Sequence, residues 1–383
     1  MQIRQSLLLA AASVAVAQNT PQLPSLTQAL ASQNSTLSTL ISLISNNTAV
    51  SNSIGQLSNI TILAPSNNAL NALISNADAA TAQMLAKPDF IQAVLSYHIL
   101  NGTYYGSNFT EKPQFLRTAL TNQTYANVTG GQRVEAVARG GNVTFFSGLK
   151  NNATVVTANL NFTGGVIHII DQVLTIPQSI VQTATASNLT ALVGAVSAAG
   201  LGDAVTGLRN ATIFAPSNAA FGAISSITGN LSTQALGKIL QYHVVDGALG
   251  YSSGLTDTTL TALDGSKLNI RVIDGAVYVN SAKVTIPDVL VANGVVHVID
   301  QVLNPDNASA TPQPSATTTT AAFSGASSGT GVPFTSNVPQ PSTTGPAAST
   351  SGVPRPTGAA APMKTGAVGA AALFGGAAVL LNM

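Results

Sequence analysis

The chain has 383 residues and a formal net charge of +1, from 14 Lys and Arg against 13 Asp and Glu, so that only 7% of it is charged. Fourteen scattered cations do not build the basic surface a nucleic-acid partner requires. With no Cys, thiolate catalysis, disulfide frameworks and Cys-ligated zinc are excluded, and four His leave little material for metal or acid–base chemistry.

At the N-terminus Arg4 precedes an apolar run from Leu7 to Val16 that ends in the small residues Ala15, Val16 and Ala17. This predicts a secretory signal peptide over 1–17; the run is too short for a bilayer span. A chain that is 45% apolar and weakly charged needs another means of solvation. Acceptor tripeptides for N-glycosylation supply it, at Asn34, Asn46, Asn59, Asn101, Asn108, Asn122, Asn127, Asn142, Asn152, Asn161, Asn188, Asn210, Asn230 and Asn307. Asn59 and Asn210 stand at the mouths of predicted strands and are the two expected to stay bare.

The middle of the chain is one unit written twice, predicting domains over 22–176 and 180–304. Each opens with a helical stripe, Leu37, Leu40, Ile41 and Ile44 in the first and Leu189, Leu192, Val193 and Val196 in the second. A buried strand over Ile60–Ala64 follows, stopped by Pro65. Ser66 caps the next helix, whose Ala69, Leu70, Leu73 and Ile74 are expected to face inward. A further helix carries Ile91, Val94, Leu95 and His98, matched by Leu236, Ile239, Leu240 and His243. Gly130-Gly131 and Gly140-Gly141 flank a predicted hairpin. Val166–Leu174 is apolar on both alternating faces, which suits a strand covered on both sides. Helices early and strands late give an α+β class, each unit a β-sandwich or wedge with packed α-helices.

Three blocks recur in order in both units. Thr61-Ile62-Leu63-Ala64-Pro65-Ser66-Asn67 returns as Thr212-Ile213-Phe214-Ala215-Pro216-Ser217-Asn218, and Tyr97-His98 as Tyr242-His243. Gly165-Val166-Ile167-His168-Ile169-Ile170-Asp171 returns as Gly294-Val295-Val296-His297-Val298-Ile299-Asp300. These blocks resemble the signatures of the fasciclin (FAS1) family, with Leu63 and Leu70 in unit one where Phe is typical. The resemblance covers roughly 22–304 and implies two tandem FAS1-like domains in an adhesive or wall- and matrix-associated protein.

All four His fall in the repeated blocks. One reading pairs His98 with His168, and His243 with His297, as metal ligands or acid–base groups. The other makes each a buried structural residue with both ring nitrogens bonded. The ligand reading lacks a third donor, because Asp171 and Asp300, the recurring acids nearby, fall on the opposite strand face from His168 and His297. These Asp are instead expected to close the final strand through backbone hydrogen bonds. No close acid pair recurs for glycoside hydrolysis, so no catalytic residue, cofactor or metal is expected. Pro287-Asp288-Val289 looks like the integrin-binding motif of animal fasciclin-domain matrix proteins. Asp288 and Val289 are therefore a possible partner-binding point, the alternative being a Pro-Asp turn entering a strand.

From Pro305 to Gly358 the chain turns rich in Ser, Thr and Pro, predicting a disordered, O-glycosylated stalk. Gly325-Ala326-Ser327-Ser328-Gly329 matches a hydrolase pattern but lacks the strand before it and the helix after it. Beyond lie the small triplet Gly358-Ala359-Ala360, a spacer with Lys364 and a terminal apolar run. That order predicts a glycosylphosphatidylinositol (GPI) signal over 359–383, attached at Gly358 or alternatively Ser351; a retained transmembrane helix is the other reading. The expected whole is a non-enzymatic surface glycoprotein at the plasma membrane or cell wall. It is held to the membrane by a lipid anchor, has surface or matrix glycoproteins or polysaccharides as partners, and binds no nucleic acid. A small-ligand binder or enzyme using the His blocks, or a protein anchored on an internal membrane such as the vacuole, are the alternatives.

Overall fold

The computed structural model describes residues 22–47, 54, 57–77, 79–314, 322–329, 331–336 and 338–339. The leader over 1–17, Gly358, Ser351 and the tail over 359–383 lie outside them.

In unit one, helices α1 (Leu26–Ala31) and α2 (Asn34–Asn46) lead to β1 (Ile60–Pro65), in which every residue is buried. Ser66 caps α3 (Asn67–Ser75), its hydroxyl accepting from the Ala69 amide at 3.2 Å. This satisfies one of the donors a helix start leaves open. Ala69, Leu70 and Leu73 face inward as expected, but Ile74 is 60% exposed at the end of the stripe. Helices α4 (Ala79–Leu85) and α5 (Pro88–Tyr97) follow. Strands β2 (Ile99–Asn101), β3 (Gln114–Arg117), β4 (Arg133–Arg139), β5 (Asn142–Phe146), β6 (Asn152–Phe162) and β7 (Gly165–Ile170) complete the unit. The glycine pairs do not flank a hairpin as expected: β4 alone lies between them, and Gly140-Gly141 is itself the turn of the β4–β5 hairpin, with Arg139 opposite Asn142. The last strand ends at Ile170, four residues earlier than its apolar run, because Asp171 turns the chain away.

The sheet order is β2-β1-β7-β6-β5-β4-β3, with β1 and β7, its second and third strands, parallel. The expected sandwich or wedge is thus one coiled sheet that almost closes. Past β3, Thr118 bridges to Leu100, and the Ala119 amide reaches the Ile99 carbonyl at 2.8 Å. Helices pack on the outside of the sheet, over the buried faces of β1 and β7.

Unit two repeats the plan. It comprises α6 (Ile180–Ala186), α7 (Thr190–Ala198), α8 (Gly202–Gly207), β8 (Ala211–Pro216), α9 (Asn218–Ala223), α10 (Ser225–Thr228) and α11 (Thr233–Tyr242). Its strands are β9 (Val244–Val245), β10 (Thr258–Thr261), β11 (Lys267–Ile273), β12 (Ala276–Val279), β13 (Ala282–Val291) and β14 (Gly294–Ile299). The order β9-β8-β14-β13-β12-β11-β10 is that of unit one, strand for strand. Gly165 and Gly294 open the two parallel strands for a steric reason: a Cβ would lie 1.9 Å from the Ile60 carbonyl oxygen and 2.0 Å from that of Ala211. The neighbouring backbone occupies the space of a side chain.

The region after Pro305 begins differently from the free stalk expected there. Residues 322–329 and 331–336 lie against the helical side of unit two. Phe334 meets Phe221 edge to face at 6.0 Å, its carbonyl resting over Gly194 where a Cβ would stand 1.7 Å away. Asn304 and Asn307 hold the Ala322 carbonyl, and Ser226 and Ser327 exchange hydrogen bonds. Two Phe in an otherwise polar stretch supply the apolar surface that offsets its ordering. The hydrolase-like Gly325–Gly329 lies in this strap, and among the described residues no strand or helix flanks it.

Candidate functional site

His98 and His243 stand at the C-cap positions of α5 and α11, with 3% and 2% exposure. The ring Nδ1 of His98 donates to the Val94 carbonyl at 2.7 Å, and its Nε2 accepts from the Leu174 amide at 2.9 Å. His243 repeats this with the Ile239 carbonyl at 2.7 Å and the Leu303 amide at 2.9 Å. One nitrogen must donate and the other accept, so only the neutral Nδ1–H tautomer fits. Burial accordingly lowers both imidazoles from 6.5 to about 4. Each ring ties a helix end to the segment leaving the last strand. The preceding tyrosines, both wholly buried, do the same work on the other side: Tyr97 donates to the Arg133 carbonyl at 2.8 Å and Tyr242 to that of Lys267 at 2.7 Å.

His168 and His297 use the opposite tautomer. Nε2 of His168 donates to the Tyr104 carbonyl and Nε2 of His297 to that of Gly250, both at 2.7 Å. Their Nδ1 atoms accept, at 3.3 Å, from the amides of Asn159 and Asp288. Burial lowers the basicity of both rings. With the two nitrogens of every ring facing backbone partners, no imidazole presents a lone pair to a metal. Among the described residues no group of three His, Asp or Glu is placed to hold one.

Asn159 and Asp288 mark a bulge in β6 and β13, where the register shifts and φ is +63° and +60°. Asn and Asp tolerate this left-handed conformation better than most residues. Their side chains brace a short turn: Asn159 Oδ1 accepts from the Gly106 amide and Asp288 Oδ1 from the Ser252 amide, both at 2.8 Å. The Ser252 hydroxyl bonds the other Asp288 oxygen. This corrects the partner-binding reading of Asp288 and Val289: they are 1% and 3% exposed, and the Asp288 carboxylate is spent inside the protein. The alternative turn is not there either, because Pro287-Asp288 lies within β13. The equal spacing of Asn159 from His168 and of Asp288 from His297 carries this signal in the sequence.

Asp171 Oδ1 accepts from the Thr154 amide at 2.7 Å and Asp300 Oδ1 from the Lys283 amide at 2.8 Å. Each therefore clamps the strand beside its own.

The two units meet in a joint that sequence reading missed. Phe115 stacks on Tyr251 with centroids 3.9 Å apart and planes 9° from parallel. Gln132, fully buried, donates to the Val291 carbonyl at 3.1 Å, and the Asn127 amide donates to the Ala292 carbonyl at 2.7 Å. Lys150 pairs with the buried Glu135 at 2.7 Å, while burial still pushes that carboxyl upward. Two sequons take part: Asn127 Nδ2 donates to the Leu208 carbonyl at 3.1 Å, and Asn210 exchanges two 2.8 Å bonds with Thr129. Asn127, Asn210 and Asn307 are half-buried and the other eleven acceptor asparagines, Asn59 included, are exposed.

The Fasciclin domain model matches the chain twice, over residues 35–177 and 187–305. A fasciclin-like arabinogalactan protein of Arthroderma benhamiae is 32% identical over 290 residues, covering 76% of this chain and 69% of the relative. One from Phaeosphaeria nodorum is 31% identical over 291 residues, 74% of this chain and 91% of the relative. The solved FAS1 domain pair from the insect cell adhesion molecule fasciclin I covers 71% of this chain and 98% of its own at 22% identity, with a TM-score of 0.34.

Proposed function

Because the chain belongs to the fasciclin domain family, we propose that it is a non-enzymatic extracellular glycoprotein that associates with the cell wall or with neighbouring cells. One observation carries the non-enzymatic part. The four imidazoles, the residues best suited to chemistry at neutral pH, are buried and neutral, with each ring nitrogen bonded to backbone. Eleven exposed sequons distributed over both units support a glycan coat in place of surface charge. The names of the two fungal relatives, both fasciclin-like arabinogalactan proteins, support a surface location.

A signal peptide over 1–17 and a GPI anchor at Gly358 or Ser351 belong to the same reading, in which the stalk beyond the strap holds the units away from the bilayer. Tethered modules suit weak multivalent contacts, since effective concentration compensates for low affinity at each site. No helix of the described residues is long and apolar enough to cross a membrane. The test is fractionation of intact cells with phosphatidylinositol-specific phospholipase and glycosidase. Release of a sugar-bearing protein from the surface supports the proposal; retention on an internal membrane after both treatments refutes it. Loss of surface attachment on deletion of the gene tests the adhesive part.

A further inference from the structure

The joint encloses a cleft of about 320 Å³ whose walls come from unit one, the connecting segment and unit two. This volume lies at the lower end of the range for small-molecule sites, roughly 300–1,000 Å³. Its chemistry is unusual for so apolar a chain. Gln123, Thr124 and Asn127 line it from one side, and Gln182, Thr206 and Asn293 from the other. No carboxylate, ammonium, guanidinium or imidazole is among the lining groups. A half-buried ring, Tyr125, forms one wall, held edge to face against Phe90 at 5.9 Å.

Asn293 fixes one wall of the cleft. Its Nδ2 donates to the carbonyls of Val205 at 3.0 Å and Leu208 at 3.3 Å, so the amide cannot be turned over without facing oxygen toward oxygen. The side chain is 4% exposed, and its Oδ1 is buried with no donor in reach among the described residues. Sealed in this way, Asn293 braces the wall of the cleft and leaves ligand contacts to the open amide and hydroxyl groups of Gln123, Thr124 and Gln182. A ligand for these walls carries hydroxyls that both donate and accept, bears no charge, and has an apolar face to lay on an aromatic ring.

We infer that the cleft between the two units is a binding site for a neutral saccharide, one or two pyranose rings of a longer chain. The saccharide's hydroxyls bond the side chains of Gln123, Thr124 and Gln182, which line the cleft and are open to it, and a ring face rests on Tyr125. The bound sugar touches both units and so tightens the joint. The inference rests on the surface-glycoprotein reading only for where the sugar comes from, either an external polysaccharide or the protein's own glycan at the neighbouring Asn122 sequon.

The experiment is calorimetric titration of the secreted full-length protein, and of its Asn122→Gln variant, with neutral pentasaccharides. The panel comprises β-glucan, mannan, chitin and galactan oligomers, with an oligogalacturonate as charged control. Saturable one-to-one binding of a neutral oligomer is expected, weakened about tenfold or more by Tyr125→Ala and by Gln123→Ala, the latter at an exposed position where folding is not at risk. Binding by both protein forms identifies an external source; binding only after Asn122→Gln identifies the protein's own glycan as the occupant. The inference is overturned if no neutral oligomer binds either form, if the charged control binds equally, or if both cleft variants bind as the parent does. Fractionation of cells reads location and not sugar binding, so the two proposals fail separately.

Discussion

Replacing His243 by Phe tests whether the buried rings are structural. The new ring fills much of the same space but bonds neither the Leu303 amide nor the Ile239 carbonyl, now 2.9 and 2.7 Å from the imidazole. Each unmet buried group costs about 1–3 kcal/mol, so the variant should lose roughly 2–6 kcal/mol at pH 7.5. The parent has its own pH dependence. His243 falls from 6.5 in the unfolded chain to about 4 in the fold, so the unfolded state binds the extra proton. Stability is therefore complete above pH 6.5 and declines as the pH falls toward 4, by on the order of 3 kcal/mol for this ring. His98 adds an equal share in unit one. Phe cannot take up that proton, so the deficit of His243→Phe should narrow markedly between pH 7.5 and pH 4. Urea unfolding followed by circular dichroism at both pH values measures this. A variant as stable as the parent at pH 7.5, or a deficit that does not change with pH, would refute the reasoning.

Gly294→Ala should prevent unit two from folding, at a cost above about 4 kcal/mol, because its Cβ meets the Ala211 carbonyl at 2.0 Å. Gly237→Ala, in α11 with nothing within 4 Å, should instead gain about 0.5–1 kcal/mol, and thermal melts compare the two. Phe115→Ala removes the stack on Tyr251 and about 0.5–1.5 kcal/mol of coupling beyond the area lost, so one calorimetric transition should split into two. Phe334→Ser and Gly194→Val should both free the strap, seen as new cleavage between residues 322 and 336 in limited proteolysis; resistance equal to the parent's would count against the packing described.

Much of the fold was legible because it rests on local chemistry repeated twice. The β1 run, the Ser66 cap and the helical stripes needed only periodicity and hydrogen-bonding capacity. The reading failed where partners are remote in sequence. Ile74 continues a stripe that its helix turns out to solvent. Asp288 seemed a surface acid after Pro287, yet a bulge and the packing of unit one against unit two bury it. Nothing in the spacing of Phe115 or Gln132 announced a second domain over 130 residues away, since a joint between domains has no period of its own. The strap was hidden by composition: Phe323 and Phe334 anchor a segment whose other residues read as disordered.

The central claim is that the histidines serve architecture, and their tautomers report on it directly. Long-range nitrogen–proton correlation NMR of ¹⁵N-labelled protein at pH 7.5 distinguishes the two ring nitrogens. The account predicts four neutral rings, with the proton on Nδ1 in His98 and His243 and on Nε2 in His168 and His297, all unmoved by added zinc. An imidazolium at that pH, or a ring nitrogen that shifts with the metal, would contradict it.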